Sequence, residues 1–407
     1  MVKADSDSMD SDSVDDSVDG SVDGDSVDGG ADAAQGDATD QLLDATTALL
    51  PPLLAALGAL AEAGRRLHPP TVSKLAHQLR ELQAPLAEGR SLFEAVDWPE
   101  HLVGFRDCGM EAARLTSRGL SEFSQSPGKQ QPIMGAYKSL GYLSQGLDAL
   151  YPLTRMLPPV SRFYLDPDCV AGRHGDVAAS DAVVDALAET LSDAPEQPYT
   201  GVIHAGNAKN ERGGFSLYVP EDYDESVPAP MIVALHGGNG HGRSFLWSWL
   251  TAARSCGAIL MAPTSAGSTW SLGEPEVDAN RLLSMLEFVR ERYALRDDRL
   301  LLTGMSDGGT FSYLAGYSGD APYTHMAPMA ASFHPLILQA LDAQRVRDVP
   351  IYLMHGALDW MFDVQVARTA KGALAEAGAN IEYHEFEDLS HTFPRGELGG
   401  LVQWFLR

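Results

Sequence analysis

Residues 201–407 alternate between short apolar runs and segments with apolar residues at helical spacing. The runs are nearly continuous, as expected for strands buried on both faces of a mainly parallel sheet. They predict strands at Phe215–Val219, Met231–Leu235, Ala258–Ala262, Leu300–Thr303, Met326–Ala331, Ile351–Met354 and Ile381–Phe386. Helices are predicted at Arg243–Ser255, Val277–Tyr293, Asp307–Tyr317, Gln365–Ala377 and Leu398–Leu406. The alternation predicts an α/β domain with helices on both faces of the sheet.

Residues 41–165, here called the helical region, have helical rather than strand patterns. The apolar patterns cover Leu42–Ala61, Val72–Leu86, Glu100–Phe123 and Met134–Met156. The uncharged stretch Ala45–Ala61 is short for a membrane span and contains Pro51 and Pro52, where a break is expected. We therefore predict a packed helical hairpin and no transmembrane segment.

The helical region has two interpretations. It forms a cap or lid, with Phe163, Tyr164 or Trp98 lining a hydrophobic cleft, or it is an appendage that packs beside the α/β domain or binds a partner. The sequence leaves both open. Residues 166–200 contain proline-rich ends and predict a linker that encloses one short helix near Ala179–Leu191.

The first 40 residues are a Ser/Asp/Gly tract in which Ser-Val-Asp-Gly recurs at 17–20, 21–24 and 26–29. Such a segment cannot bury a core, so a disordered tail is predicted. Calcium binding is the alternative, because alternating aspartates resemble parts of calcium loops. No twelve-residue loop with its terminal glutamate is present, which favours a solvated spacer.

Charge narrows the range of partners. The 407 residues include 56 acidic and 29 basic side chains, a net charge of −27, which argues against nucleic acid or an anionic membrane as partner. The tail holds 13 Asp and one Lys, and the remainder of the chain is also acidic. Because such tracts often separate an exported domain from an anchor, we predict a periplasmic, cell-surface or secreted protein whose signal peptide is absent from this chain.

The candidate chemistry begins with Gly304-Met305-Ser306-Asp307-Gly308, which follows a predicted strand and precedes a predicted helix. This G-x-S-x-G form is typical of a nucleophile elbow, a strained turn that presents a serine at the bend. Glycine flanks the serine because larger side chains would clash there. The sequence predicts Ser306 as a nucleophile.

The other parts of a catalytic triad follow in chain order. Asp359 and His391 each lie just past a predicted strand, so His391 is the predicted general base and Asp359 the residue that orients it. The turn His236-Gly237-Gly238-Asn239-Gly240 follows another strand. Backbone N–H groups of Gly238 and Asp307 are the predicted oxyanion hole.

Four further residues are candidates for lining the substrate site: Asn239, Trp270, Trp360 and His334. Each has packing as an equally good interpretation. The histidines form no metal-binding motif, and no cofactor is expected. A disulfide between Cys108 and Cys169 is predicted if the protein is exported, with free buried thiols, Cys256 included, as the alternative.

The stretches LHGGNG, APTSAGSTW, LLTGMSDGG, MHGALD and SHTFP resemble the α/β-hydrolase superfamily, in particular its phospholipase/carboxylesterase and polyhydroxybutyrate-depolymerase-like esterase branch. The resemblance covers about half of the chain. It implies a serine esterase acting on carboxylic esters, polyesters among them. Family members often carry a proline four residues after the acid, whereas this chain has Asp363, which is the second-choice acid.

The same superfamily leaves other functions open. Phospholipase and thioesterase activity are alternatives within it, and so is a serine peptidase of the prolyl-oligopeptidase type. No repeated strand blades precede residue 200, which argues against the peptidase. A binding protein on an inactive scaffold is the third class, and the intact triad argues against it.

Overall fold

The computed structural model describes residues 29–174 and 179–407. Most of the predicted acidic tail, with its calcium alternative, lies outside the described residues. The first helix begins at Gly29, inside the span predicted as tail, where the sequence turns from Ser/Asp repeats to a run with several alanines, which favour helix.

The chain before residue 200 is helical throughout its described part. Its helices are α1 Gly29–Arg65, α2 Val72–Glu81, α3 Gln83–Glu94, α4 Val103–Ser124, α5 Pro132–Ser139, α6 Gly141–Leu150, α7 Pro158–Phe163, α8 Pro167–His174 and α9 Asp181–Asp193. The segment predicted as a linker thus holds two helices, and α8 packs on later helices with Cys169 and Val170 fully buried.

Helix α1 runs unbroken through Pro51 and Pro52, so the predicted break is wrong. Proline removes the hydrogen bonds that the carbonyls of Thr47 and Ala48 would accept in a regular helix. Helix α3 crosses α1 at this point through Gly89. The two backbones are so close there that a Cβ on Gly89 would lie 2.4 Å from the Ala48 carbonyl oxygen. The close crossing covers the weakened turn and supports the helix.

One segment, Ala38–Arg65 in α1, is long and apolar enough to cross a membrane by length and composition. Its buried residues recur on one helical face. They are Ala45, Leu49, Leu53, Ala56, Leu57, Leu60 and Ala63. This face packs on α3, α4 and α6, as the hairpin prediction requires.

Residues 201–407, here called the sheet domain, contain strands β1 Gly201–Ala205, β2 Phe215–Val219, β3 Ala229–Leu235, β4 Ile259–Pro263, β5 Leu295–Met305, β6 His325–Met329, β7 Ile351–Gly356 and β8 Ile381–Phe386. Its helices are α10 Gly242–Cys256, α11 Glu276–Arg290, α12 Asp307–Gly316, α13 Ala343–Asp348, α14 Val364–Glu376 and α15 Leu398–Leu406. Strand β1 and helix α13 were not predicted, since β1 is only half-buried and α13 is short and mainly polar.

The strands form one sheet in the order β1-β2-β4-β3-β5-β6-β7-β8. Strand β1 is antiparallel to β2, and β2 is antiparallel to β4. The other six strands, β3 to β8, pair in parallel. The predicted mainly parallel sheet flanked by helices is confirmed. Because parallel strands end at one edge, the loops after β3, β5, β7 and β8 meet there.

The helical region and the sheet domain share a hydrophobic core. A single cluster of buried side chains extends from Leu49 and Leu57 of α1 to Trp249 of α10 and Phe405 of α15. Arg254, fully buried on α10, donates to Glu221 of the sheet domain and to the backbone carbonyl of Ser161 in α7. The two parts are therefore joined by apolar contacts and by a buried ionic network.

The three cysteines are free, so the predicted Cys108–Cys169 disulfide is absent. Cys108 is half-buried on α4, whereas Cys169 is fully buried on α8, which packs on α10 and α15. Burial raises the pKa of the Cys256 thiol to about 11, so this residue is a buried apolar side chain rather than a reactive thiol.

Candidate active site

Ser306 lies at the turn from β5 into α12, with φ 56° and ψ −121°. This positive φ is strained for a residue with a side chain, and the strain is typical of a serine held at an elbow. The Ser306 backbone N–H donates to the Met329 carbonyl of β6, which fixes the turn. The side chain is 9% exposed, so its hydroxyl is largely shielded from water.

Glycines around the elbow are required by close backbone contact. A Cβ on Gly304 would lie 2.4 Å from the Gly308 backbone, and one on Gly308 would lie 2.4 Å from the Leu235 carbonyl oxygen. A side chain at either position would force α12 away from the sheet. The motif spacing read in the sequence therefore has a direct steric cause.

His391 and Asp359 meet Ser306 at the same edge of the sheet. His391 Nε2 lies 3.2 Å from Ser306 Oγ, and its Nδ1 lies 2.8 Å from Asp359 Oδ2. Because a carboxylate accepts, Nδ1 carries the proton and Nε2 is free to take one from the serine. His391 is 1% exposed and Asp359 is 8% exposed. The three predicted residues form one buried hydrogen-bonded chain.

The loop after β7 holds the Asp359 carboxylate. Its Oδ1 accepts from the backbone N–H groups of Met361 and Phe362 at 2.9 and 2.8 Å. His355 Nε2 donates to the Phe362 carbonyl and lies 3.4 Å from Asp359 Oδ2. The second-choice acid, Asp363, instead caps α14 by accepting from the Gln365 N–H and is exposed.

His355 was not among the residues that the sequence predicted for the site. In the structure it is a second buried imidazole beside the carboxylate. The signal was its place four residues before Asp359, at the end of a buried strand. Its Nε2–H, bonded to the Phe362 carbonyl, braces the loop that carries the Asp359 carboxylate.

The loop after β3 lies directly against the serine. A Cβ on Gly237 would approach Ser306 Cβ at 3.3 Å. Among the described residues, no backbone hydrogen bond takes up the N–H of Gly238 or of Asp307. Gly238 is exposed, and a Cβ there would meet the Asp307 carboxylate at 2.6 Å, so the two residues predicted as oxyanion donors lie close to each other.

His236 fixes the conformation of this loop. Its Nε2 accepts from the Ser265 backbone N–H at 3.1 Å, so Nδ1 carries the proton and donates to the Gly237 carbonyl at 2.7 Å. Burial lowers the pKa of His236 to about 4, although the hydrogen bond to Gly237 acts in the opposite direction. The imidazole is therefore neutral and serves as a fixed brace.

Trp270 packs against the same loop, in line with the packing interpretation that the sequence left open. Its ring is 3% exposed and stacks on Phe311 at 5.3 Å, while its indole N–H donates to the His236 carbonyl at 2.7 Å. A buried indole needs an acceptor, and the loop carbonyl supplies it. These contacts explain the burial of Trp270 by packing, while a role in lining the substrate site stays a prediction.

The remaining candidates differ in their distance from the triad. Trp360 lies beside His391, with ring centroids 6.4 Å apart. Asn239 is exposed next to the Gly238 donor and has φ 56°, with its N–H bonded to the Ser268 carbonyl. His334 is exposed and accepts from the Leu336 N–H, a local helix cap. The hydrogen bond that the structure gives it is therefore local.

The helical region anchors the loop that carries His391. The Ser390 N–H donates to the Arg65 carbonyl, and the Ser390 hydroxyl donates to the Leu67 carbonyl. The Arg65 guanidinium bridges Asp388 and Glu397 at 2.6 and 2.8 Å. These contacts were not predicted, because no motif marks them.

Aromatic side chains cover the histidine from the helical side. Tyr137 of α5 lies 6.3 Å from the His391 ring and 5.8 Å from the Trp360 ring. The predicted cleft residues do not reach this point: Tyr164 is buried with its hydroxyl on the Leu147 carbonyl, and Trp98 packs on Phe93. The helical region thus reaches the triad through a different residue from those predicted.

Comparisons with known proteins give one family match and one curated relative. Residues 280–406 match the phospholipase/carboxylesterase family model. A curated relative, the bifunctional acetylxylan esterase/xylanase XynS20E of Neocallimastix patriciarum, is 26% identical over 162 residues. That match covers 39% of this chain and 23% of the relative, so the chain spans about a quarter of that protein's length.

Two solved structures are similar to about half of the chain, at low sequence identity. The serine hydrolase FphF of Staphylococcus aureus is 12% identical, with a TM-score of 0.42 over 51% of this chain and 97% of that one. A ferulic acid esterase of Anaeromyces mucronatus is 14% identical, with a TM-score of 0.41 over 52% of this chain and 93% of that one.

Proposed function

We propose a reaction for this chain, which is an α/β-hydrolase of the serine esterase type: it cleaves carboxylic esters through an acyl-enzyme intermediate. The observation that supports the proposal is the hydrogen-bonded chain from Ser306 through His391 to Asp359. A serine hydroxyl is a weak nucleophile until a neighbouring base takes its proton, and this arrangement supplies that base.

The first half of the reaction forms the acyl-enzyme. Ser306 Oγ attacks the ester carbonyl carbon while His391 Nε2 takes its proton, and the carbonyl oxygen becomes an oxyanion between the Gly238 and Asp307 N–H groups. Loss of one such donor typically costs about 3–4 kcal/mol of transition-state stabilisation. The tetrahedral intermediate collapses, the C–O bond to the alcohol breaks, and His391 returns the proton to the leaving alkoxide.

The second half reverses these roles with water. His391 takes a proton from water, the hydroxide attacks the acyl carbon, and the second oxyanion occupies the same donors. Collapse releases the acid and restores the Ser306 hydroxyl. Asp359 stays ionised throughout, holds the imidazole in one tautomer and stabilises its protonated form.

The substrate proposed is a carboxylic ester, with polyesters as the polymeric form. The curated relative is described as an acetylxylan esterase, which adds acetylated polysaccharide to the substrates worth testing. Phospholipid, thioester and, in a different class, peptide bonds are the alternatives. Export to the periplasm, cell surface or medium stays a proposal, which fractionation of the native cells with an antibody to the chain tests.

The testing experiment is turnover of p-nitrophenyl esters from acetate to palmitate. We expect activity that is lost in Ser306→Ala and kept in Ser318→Ala, since Ser318 is exposed at the far end of α12. The chain-length optimum separates a short-chain esterase from a lipase. Turnover of a p-nitroanilide amide but of no ester would favour a peptidase over the proposed esterase. Full activity in Ser306→Ala would refute Ser306 as the nucleophile.

A further inference from the structure

The helical region brings one side chain to the reacting groups, Tyr137 of α5. Its ring lies 6.3 Å from the His391 ring and meets the Trp360 ring edge-on at 5.8 Å. His391 Nε2 is the atom proposed to protonate the leaving alcohol, so a ring that packs near this imidazole is a candidate contact for the alcohol part of an ester. No predicted role covers this contact.

The Tyr137 hydroxyl differs from the other tyrosine hydroxyls of the helical region. Tyr142 donates to Glu122, Tyr151 to Glu221 and Tyr164 to the Leu147 carbonyl. Within the described residues, the hydroxyl of Tyr137 has no such partner. A tyrosine that serves only to join two parts of a protein normally has its hydroxyl bonded, as those three do.

The surroundings of Tyr137 keep its phenol neutral. Burial raises the pKa of Tyr137, and the carboxylates of Asp359 and Asp307 raise it further. Asp307 follows Ser306 in the chain, and Asp359 is hydrogen-bonded to His391. A raised pKa keeps the phenol neutral and able to donate a hydrogen bond wherever His391 works as a base.

We propose that Tyr137 is a substrate-contacting residue that the helical region supplies to the active site. Its ring and that of Trp360 form two apolar walls for the alcohol part of the ester, and its hydroxyl donates a hydrogen bond to an oxygen of the bound ester. This rests on the proposed function and assigns the helical region the role of a cap. Because flat apolar walls favour a flat partner, the preferred alcohol carries an aryl ring.

The test compares Tyr137→Phe, Tyr137→Ala and the control Tyr142→Phe on benzyl acetate and n-hexyl acetate. These esters share the acyl group and a primary alcohol, so their ratio of kcat/KM reports the fit of the alcohol part. Tyr142 lies on the neighbouring helix α6 and its hydroxyl bonds Glu122, away from the triad contacts. Thermal unfolding of each variant checks that it is folded.

We expect Tyr137→Phe to lower kcat/KM about five- to tenfold on both esters, the effect of one lost hydrogen bond. Tyr137→Ala is expected to lower the benzyl-to-hexyl ratio about fivefold as well, and Tyr142→Phe to stay within twofold of the wild type. The proposal would be overturned if both Tyr137 variants kept the wild-type kcat/KM and the wild-type benzyl-to-hexyl ratio. This holds even if the variants unfold at a lower temperature.

Labelling with fluorophosphonates separates this proposal from the general one. Covalent labelling of Ser306 needs no ester turnover, and rates with a benzyl-bearing and a hexyl-bearing reagent repeat the comparison. If the wild type is labelled but cleaves no ester, the proposed ester hydrolysis is refuted. Slower labelling of Tyr137→Ala by the benzyl reagent would still support the contact between Tyr137 and the substrate. A wild type that is neither labelled nor active contradicts both.

Discussion

The sheet domain and the helical region reach the same site by different means. Ser306, Asp359 and His391 lie in loops at one edge of a parallel sheet, so their meeting follows from strand order alone. Tyr137 and Arg65 reach it only because the helical region docks on those loops. The proposed catalytic residues thus belong to short motifs, whereas the residues of the helical region meet them through contacts between distant parts of the chain.

The largest effect should come from the sheet-edge residues. Asp359→Asn is expected to lower kcat roughly 10⁴-fold. The amide NH2 of asparagine would donate to His391 Nδ1 and hold the imidazole proton on Nε2, the tautomer that cannot take the proton of Ser306. The measurement is steady-state hydrolysis of the best p-nitrophenyl ester.

Asp363→Asn is the matched control, since Asp363 lies four residues on and caps α14. It should keep kcat within about twofold and lose a little stability. A larger loss of kcat in Asp363→Asn than in Asp359→Asn would exchange the roles of the two carboxylates.

The next prediction concerns whether the two parts are separable. Arg254→Met leaves the Glu221 carboxylate buried without its cation and removes the bonds to Ser161 of the helical region. Breaking a buried pair in this way costs about 3–5 kcal/mol. Calorimetry should show a lower unfolding temperature and one transition for both parts, because they share a core.

The exposed pair Arg114–Glu111 on α4 provides the control for that measurement. Arg114→Met is expected to change the free energy of unfolding by less than about 1 kcal/mol. Two separate transitions in the wild type, with Arg254→Met shifting only one of them, would show that the helical region folds independently. That result would contradict a core shared by the two parts.

A smaller effect should appear as pH dependence of the loop beside the serine. The pKa of His236 is lowered to about 4 from 6.5, so between these values the unfolded chain binds the proton more readily than the folded one. Its contribution is fully present above pH 6.5 and is lost as the pH falls to 4. This contribution of His236 to the free energy of unfolding is about 3 kcal/mol.

Urea unfolding at pH 7.5 and 4.5 measures this contribution. His236→Gln should reduce the difference in free energy of unfolding between the two pH values, and His101→Gln, at an exposed position of the helical region, should leave it as in the wild type. An equal pH dependence in wild type and His236→Gln would contradict the brace role of the neutral imidazole.

Prediction from sequence succeeded where position along a strand sets position in space. Ser306, Asp359 and His391 each follow a strand in a local motif, and strand order then brings them together. Trp270 follows a strand too, yet it turns under the loop to meet the His236 carbonyl, which no periodicity reveals. Loop direction, unlike strand order, depends on individual hydrogen bonds.

The helical region was harder to predict for the same reason. Its helices follow from apolar spacing, but Pro51 and Pro52 are tolerated because α3 crosses there through Gly89. The contact of Tyr137 with His391 joins residues that no motif connects. Such docking is set by the shapes of whole surfaces, which a single sequence does not display.

The most direct test of the central claim is the site of covalent labelling by a small fluorophosphonate, read by intact mass and peptide mapping. The account predicts one adduct per chain, on Ser306, that blocks ester turnover and is absent in Ser306→Ala. An adduct on another serine that abolishes turnover, or ester turnover that persists after Ser306 is fully labelled, would contradict it.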